Sequence, residues 1–172
     1  MKNKKLFILI GIFWLVIIIG FIASKEFTLR TGEQVLLKTI PVDPRDLFRG
    51  DYIILGYEIG TLDLNNIPAE RTDFQVDDKI YVSLKKENGY GIPLKVYKNM
   101  PRDEKLFLKG RVTGIHGGSL AVEYGIESYF IPEGKGVGIT AGRGLSVKVS
   151  IDKFGNVAIK SLLKDGREVS FK

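Results

Sequence analysis

A compact group of charged side chains is the densest chemistry in the chain. Asp43, Arg45, Asp46, Arg49 and Asp51 fall within one short segment. Converging carboxylates would suit a cation site, and the mixed charges would suit a recognition surface. A cation site, however, needs carboxylates that neighbouring arginines do not neutralise. We therefore favour a structured turn, in which the carboxylates cap backbone amides and pair with the two arginines.

A glycine-rich segment at 133–144, EGKGVGITAGRG, is the second candidate site. The backbone amides of such loops can cradle phosphate. The segment lacks the Gly-Lys-Ser/Thr ending of a Walker loop, and its surroundings predict strands instead of the βαβ unit that a dinucleotide fingerprint needs. We interpret it as a surface loop in which Glu133, Lys135 and Arg143 are candidate contacts for a partner.

Residue types that carry catalysis or bind metals are sparse. The chain has no cysteine and one histidine, His116, so a thiol nucleophile and a cysteine zinc site are excluded. A triad of this histidine with Ser119, Ser128 or Ser146 is formally open. No nucleophile elbow is present, and His116 precedes the turn signal Gly117-Gly118. We predict a non-enzymatic protein with no catalytic residues, no metal site and no cofactor.

Two other classes of protein stay open as alternatives. Signal-peptidase-like hydrolases are also anchored β-rich proteins, but their serine lies in a Ser-Met-x-Pro segment. Here Asn99 precedes Met100, and the other methionine is Met1, so this alternative is the weaker one. Carbohydrate binding is the second alternative, because the chain has seven tyrosines and aromatic rings stack on sugar rings. Tyrosines in strands, however, more often pack a core.

The apolar run from Leu6 to Ala23 determines where all of these groups lie relative to a membrane. It carries no charge, and as a helix it would span most of a hydrocarbon core about 30 Å thick. The basic cluster Lys2, Lys4 and Lys5 precedes it, which predicts a cytoplasmic N terminus. A cleaved signal peptide is the alternative, but its apolar region is usually only about 7–15 residues long.

These features divide the chain into two parts. Residues 1–24 are predicted to form a cytoplasmic tip and transmembrane anchor in the plasma membrane. Residues 25–172 are predicted to form one extracytoplasmic domain, with 25–31 as a short stalk. Without the three lysines ahead of the run, 23 basic residues face 20 acidic ones, and they are interspersed. This pattern argues against a nucleic-acid surface.

The domain is predicted to be all-β. Short runs rich in branched and aromatic residues alternate with turn signals such as Asn88-Gly89 and Asp165-Gly166. This pattern predicts a mostly antiparallel sandwich or partly open barrel after the helix. Segment 61–75 is predicted to hold a helical turn and a loop. The predicted strands are 35–40, 52–59, 80–85, 92–97, 106–112, 120–124, 128–131, 145–151, 157–163 and 168–171.

Within segment 36–59, a turn that ends at Gly50 leads into the strand predicted at 52–59. Alternate residues of a strand share a face, so one face of this strand is apolar throughout. The residues of that core face are Ile53, Leu55, Tyr57 and Ile59.

This segment resembles the GDYXXLXY family, which is named for the pattern that begins at Gly50. The preceding Pro-x-Asp-Pro-Arg-Asp-x-x-Arg resembles the family too, and segment 124–134 is similar to its second recurring segment. The resemblance covers most of residues 28–172. The motif residues in this chain are Asp43, Pro44, Arg45, Asp46, Arg49, Gly50, Asp51, Tyr52, Leu55 and Tyr57.

What the resemblance implies is a bacterial, membrane-anchored protein of unknown activity. Some members carry a label that suggests regulation of a secreted amylopullulanase, and similar proteins often accompany multi-span membrane proteins. We therefore predict a binding or accessory component of a membrane assembly, with a multi-span membrane protein as a candidate partner and no nucleic acid. A carbohydrate-linked regulator or sugar-binding module is the alternative.

Overall fold

The computed structural model describes residues 2–41, 52–131 and 144–170. Within these residues a single α-helix, α1, spans Lys2–Thr31. The strands are β1 Glu33–Ile40, β2 Tyr52–Ile54, β3 Gly56–Tyr57, β4 Thr61–Asp63, β5 Lys79–Glu87, β6 Tyr90–Tyr97, β7 Phe107–His116, β8 Ser119–Glu123, β9 Ser128–Phe130, β10 Leu145–Ile151, β11 Val157–Lys164 and β12 Arg167–Glu168. A 3₁₀ turn, Glu58–Gly60, joins β3 to β4.

Helix α1 carries the predicted apolar run and continues beyond it. It is long and apolar enough to cross a membrane, and its side chains from Lys4 to Phe27 are exposed. The segment predicted as a stalk, 25–31, is the last part of this same helix. No glycine or proline interrupts that segment, and the helix ends at Gly32, whose amide still donates to the Thr28 carbonyl at 3.0 Å.

The strands form one large sheet and one small ribbon. The order in the large sheet is β12-β11-β10-β1-β6-β5-β7-β8-β4, and β3 also pairs with β1. Every pairing is antiparallel except the one between β1 and β6. Among the described residues, strands β2 and β9 pair with each other as a separate antiparallel ribbon. These features confirm the predicted all-β, mostly antiparallel fold after one N-terminal helix.

A single short segment, 56–63, bridges two distant strands of the sheet. At its start, β3 pairs with β1 through Tyr57 and Thr39. At its end, β4 pairs with β8 through Leu62 and Leu120. Because β1 and β8 are separated by three other strands, the sheet must curl to meet both ends of this segment. The sheet is therefore curved around its core without closing into a barrel.

The core lies where alternate strand residues converge. Strands β1, β5, β7, β8, β10 and β11 all contribute to one apolar cluster, together with the bridging segment. Register shifts in β5, β7 and β10 add the local twist that a curled sheet needs. The largest fully buried apolar side chains are Leu37, Leu55, Leu62, Ile80, Leu108, Leu120, Ile131, Leu162, Val35, Val82, Val96 and Val112.

The structure corrects the sequence prediction in the region 52–75. The strand predicted at 52–59 is divided into β2, β3 and the 3₁₀ turn, because the chain changes partner from β9 to β1 at Leu55. The predicted core face holds for three of its positions, which are buried, whereas Ile53 is half-buried. The sequence prediction also missed β4, whose three residues are too short a run to show alternation.

The predicted hairpin turns are present where the sequence indicated them. Both central residues of the turns at Asn88-Gly89 and Asp165-Gly166 have positive φ, as two-residue hairpin turns require. Gly155, in the turn between β10 and β11, also has positive φ, but its environment differs. A Cβ atom there would lie 2.9 Å from the Phe107 ring and 3.0 Å from the Lys109 amide nitrogen, whereas a Cβ at Gly166 would meet open space.

This contrast predicts different costs for two equivalent substitutions. Gly166→Ala should destabilise the protein by about 1–2 kcal/mol, the cost of a left-handed conformation with a Cβ atom. Gly155→Ala should cost about 1–3 kcal/mol more, because the added methyl also clashes with a buried ring and a backbone atom. Urea unfolding of the full-length protein in detergent measures both. Equal destabilisation would contradict the close approach at Gly155.

Candidate functional site

The two segments that resemble a known family meet in the structure. The first segment contributes β2 and the bridging segment to this meeting point, and the second contributes residues 124–131. Their ribbon pairing places Tyr52 opposite Phe130 and Ile54 opposite Ser128. Beyond the ribbon, the amide of Leu55 donates to the Glu127 carbonyl at 2.8 Å. Two stretches about seventy residues apart therefore form one structural unit.

Two buried tyrosines tie this unit together in opposite directions. The Tyr57 hydroxyl donates to the Ile126 carbonyl at 2.7 Å. The Tyr124 hydroxyl donates to the Ile59 carbonyl, also at 2.7 Å. Each segment thus supplies a hydroxyl to the backbone of the other. We call these four residues, together with Glu127, the tyrosine junction.

Burial determines the chemistry of the two hydroxyls. Loss of solvent raises the pKa of Tyr57 and of Tyr124 far above the usual value near 10, and the nearby Glu127 carboxylate raises both pKa values further. Both hydroxyls therefore stay protonated at physiological pH and act as hydrogen-bond donors. Such groups suit a structural role better than acid or base catalysis.

Glu127 closes the second segment on itself. Its Oε1 atom accepts the amide of Tyr124 at 2.6 Å, across a tight turn in which Gly125 has positive φ. This contact fixes the backbone between the tyrosine and the carboxylate. The same turn presents the Ile126 carbonyl to Tyr57, so the carboxylate orders one of the two acceptors in the junction.

A family model matches the sequence and shows the family of the chain. The model described as GDYXXLXY protein matches residues 14–162, which is most of the sequence. The chain belongs to the GDYXXLXY family. No curated protein and no solved structure matches it.

The structure gives a role to the described residues of the family motif. Leu55 and Tyr57 are buried at the junction, and the backbone of Tyr52 pairs in β2. The other predicted motif residues lie outside the described residues, as do the three predicted contacts of the glycine-rich loop. Those residues are Asp43, Pro44, Arg45, Asp46, Arg49, Gly50, Asp51, Glu133, Lys135 and Arg143.

The described strands nevertheless show where those two segments attach. Segment 42–51 connects β1 to β2, and segment 132–143 connects β9 to β10. Strand β1 pairs with β10, and β2 pairs with β9. Segment 42–51 therefore follows a strand of the β1–β10 pair and precedes a strand of the β2–β9 pair, and segment 132–143 connects the same two pairs in the opposite order.

The other sequence candidates do not come together as a site. His116 is exposed at the end of β7 and faces Ser119 across the turn, with no side-chain hydrogen bond between them in the described chain. Ser128 is exposed in β9, and Ser146 is buried in β10. Within the described ranges, no three His, Cys, Asp or Glu side chains gather as a metal site.

The tyrosines occupy unlike environments. Tyr57 and Tyr124 belong to the junction. Tyr81 and Tyr97 face each other across β5 and β6, and the Tyr97 hydroxyl donates to Glu104 at 3.0 Å. Fewer tyrosine rings are therefore available for stacking on a sugar than the sequence count indicates. Carbohydrate binding stays a prediction.

A second polar cluster, which the sequence did not reveal, attaches the helix to the sheet. The Thr28 hydroxyl donates to Asp152 Oδ2 at 2.9 Å, and the Ser150 hydroxyl donates to the Thr28 carbonyl at 2.7 Å. All three residues are buried. We call them the anchor junction. Gly32 fits beside it because any Cβ there would lie 2.5 Å from the Ser150 hydroxyl oxygen.

The Asp152 carboxylate also orders the turn between β10 and β11. Oδ1 accepts the amides of Phe154 and Asn156 at 2.9 and 3.0 Å, and Oδ2 accepts the Asn156 side-chain amide at 3.0 Å. Burial alone raises the pKa of this carboxyl, but hydrogen bonds from Asn156, Phe154 and Thr28 outweigh burial, so the net pKa lies below its usual value. The sequence signal was an Asp followed by Gly-Asn, which indicates a turn but not its contact with the helix.

We expect Tyr57→Phe to destabilise the protein by about 1–2 kcal/mol, because the Ile126 carbonyl loses its donor while staying buried. Tyr124→Phe should have a similar effect through Ile59. Tyr81→Phe is the matched control, since its hydroxyl donates to no partner in the described chain. Thermal unfolding of the three variants in detergent tests this, and equal melting temperatures would contradict the junction.

Asp152→Asn should destabilise the protein at pH 7 by about 1.5–3 kcal/mol through lost charge-assisted hydrogen bonds. Since the folded pKa lies below the unfolded value near 3.9, the stabilisation is present above that value and disappears as pH falls through the folded pKa. The stability gap between wild type and variant should therefore narrow below about pH 4. Asp103→Asn, an exposed control, should show no gap. A gap that is constant from pH 7 to pH 3 would contradict the role of the charge.

Proposed function

We propose that the chain is a single-pass plasma-membrane protein with a cytoplasmic N terminus, whose extracytoplasmic β domain is a non-enzymatic binding component of a membrane assembly. The partner that we propose is a multi-span membrane protein. The anchor junction carries this proposal. The charge bias ahead of the apolar run and the family match support it.

The anchor junction supports a fixed position for the domain. Thr28 lies five residues beyond Ala23, the last residue of the apolar run, which corresponds to about 7.5 Å along a helix. At that level the helix is bound to Ser150 and Asp152 of the sheet. A flexible stalk would let the domain sample many heights and orientations. A docked helix instead holds one face of the domain toward neighbouring membrane proteins.

Such a fixed geometry favours binding to another membrane protein. Association normally costs rotational freedom and the ordering of loops and linkers. Here the helix and the domain are already ordered relative to each other, so a partner that contacts both meets a preorganised surface. A protein that acts on soluble molecules would gain little from this arrangement.

The β2–β9 ribbon supplies a candidate contact surface. One of its faces packs on the core through Ile53 and Tyr129. On the opposite face, Ile54 is 44 % exposed and Phe130 is 62 % exposed. Exposed aromatic and branched side chains are enriched at the centres of protein interfaces. The ribbon is also held by the tyrosine junction, so its exposed face is a rigid one.

Co-purification from mild detergent, followed by mass spectrometry, tests the assembly. The wild type should retain a multi-span membrane protein. The double variant Ile54→Ser/Phe130→Ser should retain about tenfold less, which corresponds to about 1.4 kcal/mol of binding free energy. Leu94→Ser is the matched control, because Leu94 is similarly exposed on β6.

Two results would contradict this proposal. One is recovery of the wild type alone under several detergents. The other is retention on starch or a related polysaccharide without any membrane partner, which would favour the carbohydrate-linked alternative.

Topology can be tested separately because the chain has no cysteine. A single cysteine at Lys105→Cys should react with a membrane-impermeant maleimide in intact cells. A cysteine at Asn3→Cys, which keeps the three flanking lysines, should react only after lysis. The reverse pattern would contradict the orientation, and release of the Lys105→Cys protein into the medium would indicate a cleaved leader.

A further inference from the structure

A cavity of about 350 Å³ lies between helix α1 and the sheet. Such a volume is at the lower end of the range for small-ligand sites, about 300–1,000 Å³. Six charged side chains line it, of which four are basic and two acidic. They are Lys25, Lys79, Lys109, Arg111, Asp77 and Glu123. We call this the juxtamembrane cavity.

The helix fixes the height of the cavity. Lys25 lies two residues beyond Ala23, where the apolar run ends. Asn156 lines the cavity from the sheet side, and it belongs to the turn that Asp152 ties to Thr28. The cavity is therefore at the level of the lipid headgroups if the apolar run occupies the hydrocarbon core.

The strand register concentrates positive charge on one wall. Lys79 of β5 faces Arg111 of β7 directly, and like charges in this position disfavour the fold. Lys109 is two residues before Arg111 and so lies on the same face of β7. Three cationic side chains on adjacent strands thus share one patch, and Lys25 adds a fourth from the helix.

Two acidic residues compensate part of this charge, and one of them, Glu123 of β8, faces Arg111 directly from the strand on its other side. Arg111 Nη1 lies 3.9 Å from Asp77 Oδ1, and both side chains are mostly exposed, so this ion pair is loose. Within the described chain, Lys25, Lys79 and Lys109 form no ion pair. An anion bound between them would remove the repulsion that the register creates.

Phosphate is the anion that this group of donors suits best. Lysine ammonium groups act as point charges toward phosphate, and an arginine can bind two of its oxygens at once. We propose that the juxtamembrane cavity binds a phosphate group, and that its source is the headgroup of an anionic phospholipid in the surrounding leaflet. The assignment of a lipid source depends on the membrane placement in the proposed function, whereas the phosphate chemistry does not.

Lipid binding can be measured on the full-length protein in detergent. Native mass spectrometry with equal amounts of phosphatidylglycerol and phosphatidylcholine should show selective retention of phosphatidylglycerol. Lys79→Gln/Lys109→Gln should reduce that retention about tenfold, while Lys25 is kept so that the flank of the span is unchanged. Lys105→Gln/Lys160→Gln is the matched control, because it removes the same charge from exposed lysines outside the cavity.

A second pair of variants separates charge from folding. Lys79→Arg/Lys109→Arg keeps both charges and should retain phosphatidylglycerol as the wild type does. An equal loss in the Arg and Gln variants would overturn a site based on charge. Equal retention by wild type and the Gln variant, or no preference for phosphatidylglycerol over phosphatidylcholine combined with no phosphate binding, would overturn the proposal as well.

Calorimetric titration of the delipidated protein with inorganic phosphate and glycerol 1-phosphate distinguishes the two sources. Binding of these soluble probes that the Gln variant loses, without retention of phosphatidylglycerol, would keep the phosphate site and replace the lipid by a free phosphate compound. A detergent micelle has no two membrane faces, so these results do not depend on the topology that cysteine labelling measures. Failure of the proposed function and failure of this site are therefore separate observations.

Discussion

The β domain depends on the two buried tyrosine hydroxyls that join its two recurring segments. The bridging segment 56–63 pairs with β1 through two residues and with β8 through three, which leaves it few backbone hydrogen bonds to hold the curl of the sheet. Tyr57 and Tyr124 add two hydrogen bonds in the first half of this segment, one from Tyr57 and one to Ile59, in opposite directions. Because every partner is buried, loss of either hydroxyl leaves an unsatisfied carbonyl in the core. The junction therefore stabilises the chain where it passes from β3 into the 3₁₀ turn.

The tyrosine junction and the anchor junction together define the juxtamembrane cavity. Tyr124 and Gly125 form part of its wall, and the turn held by Asp152 forms another part. The space for Tyr124 in turn requires Gly110, where a Cβ would lie 3.0 Å from the tyrosine ring. The cavity is thus bounded in part by residues that the two hydrogen-bonded junctions hold in place. Of its charged side chains, Lys109 is half-buried and the others are exposed.

The sequence predicted those features that depend on neighbours along the chain. The apolar run and the hairpin turn at Asn88-Gly89 are both local, and both are present. Features that depend on distant partners were not predictable. The bond between Thr28 and Asp152 joins residues 124 positions apart, and no local pattern marks it. The cation patch likewise needs the register of β5 against β7, since Lys79 and Arg111 are unremarkable in the sequence. The division of segment 52–59 also has a non-local cause, because the chain changes partner strand at Leu55.

The two junctions differ in their response to acid, which matters for a domain proposed to lie outside the buffered cytoplasm. The tyrosine hydroxyls donate as neutral groups, and burial keeps them protonated, so acid does not change them. The anchor junction depends on the ionised carboxylate of Asp152, whose bonds weaken once it accepts a proton. Strong acid should therefore loosen the contact between helix and sheet before it affects the curl of the sheet. The Ser150 hydroxyl still donates to the Thr28 carbonyl in that state, so acid weakens the bond from Thr28 to Asp152 and the turn that Asp152 orders, and leaves the other half of the anchor junction in place.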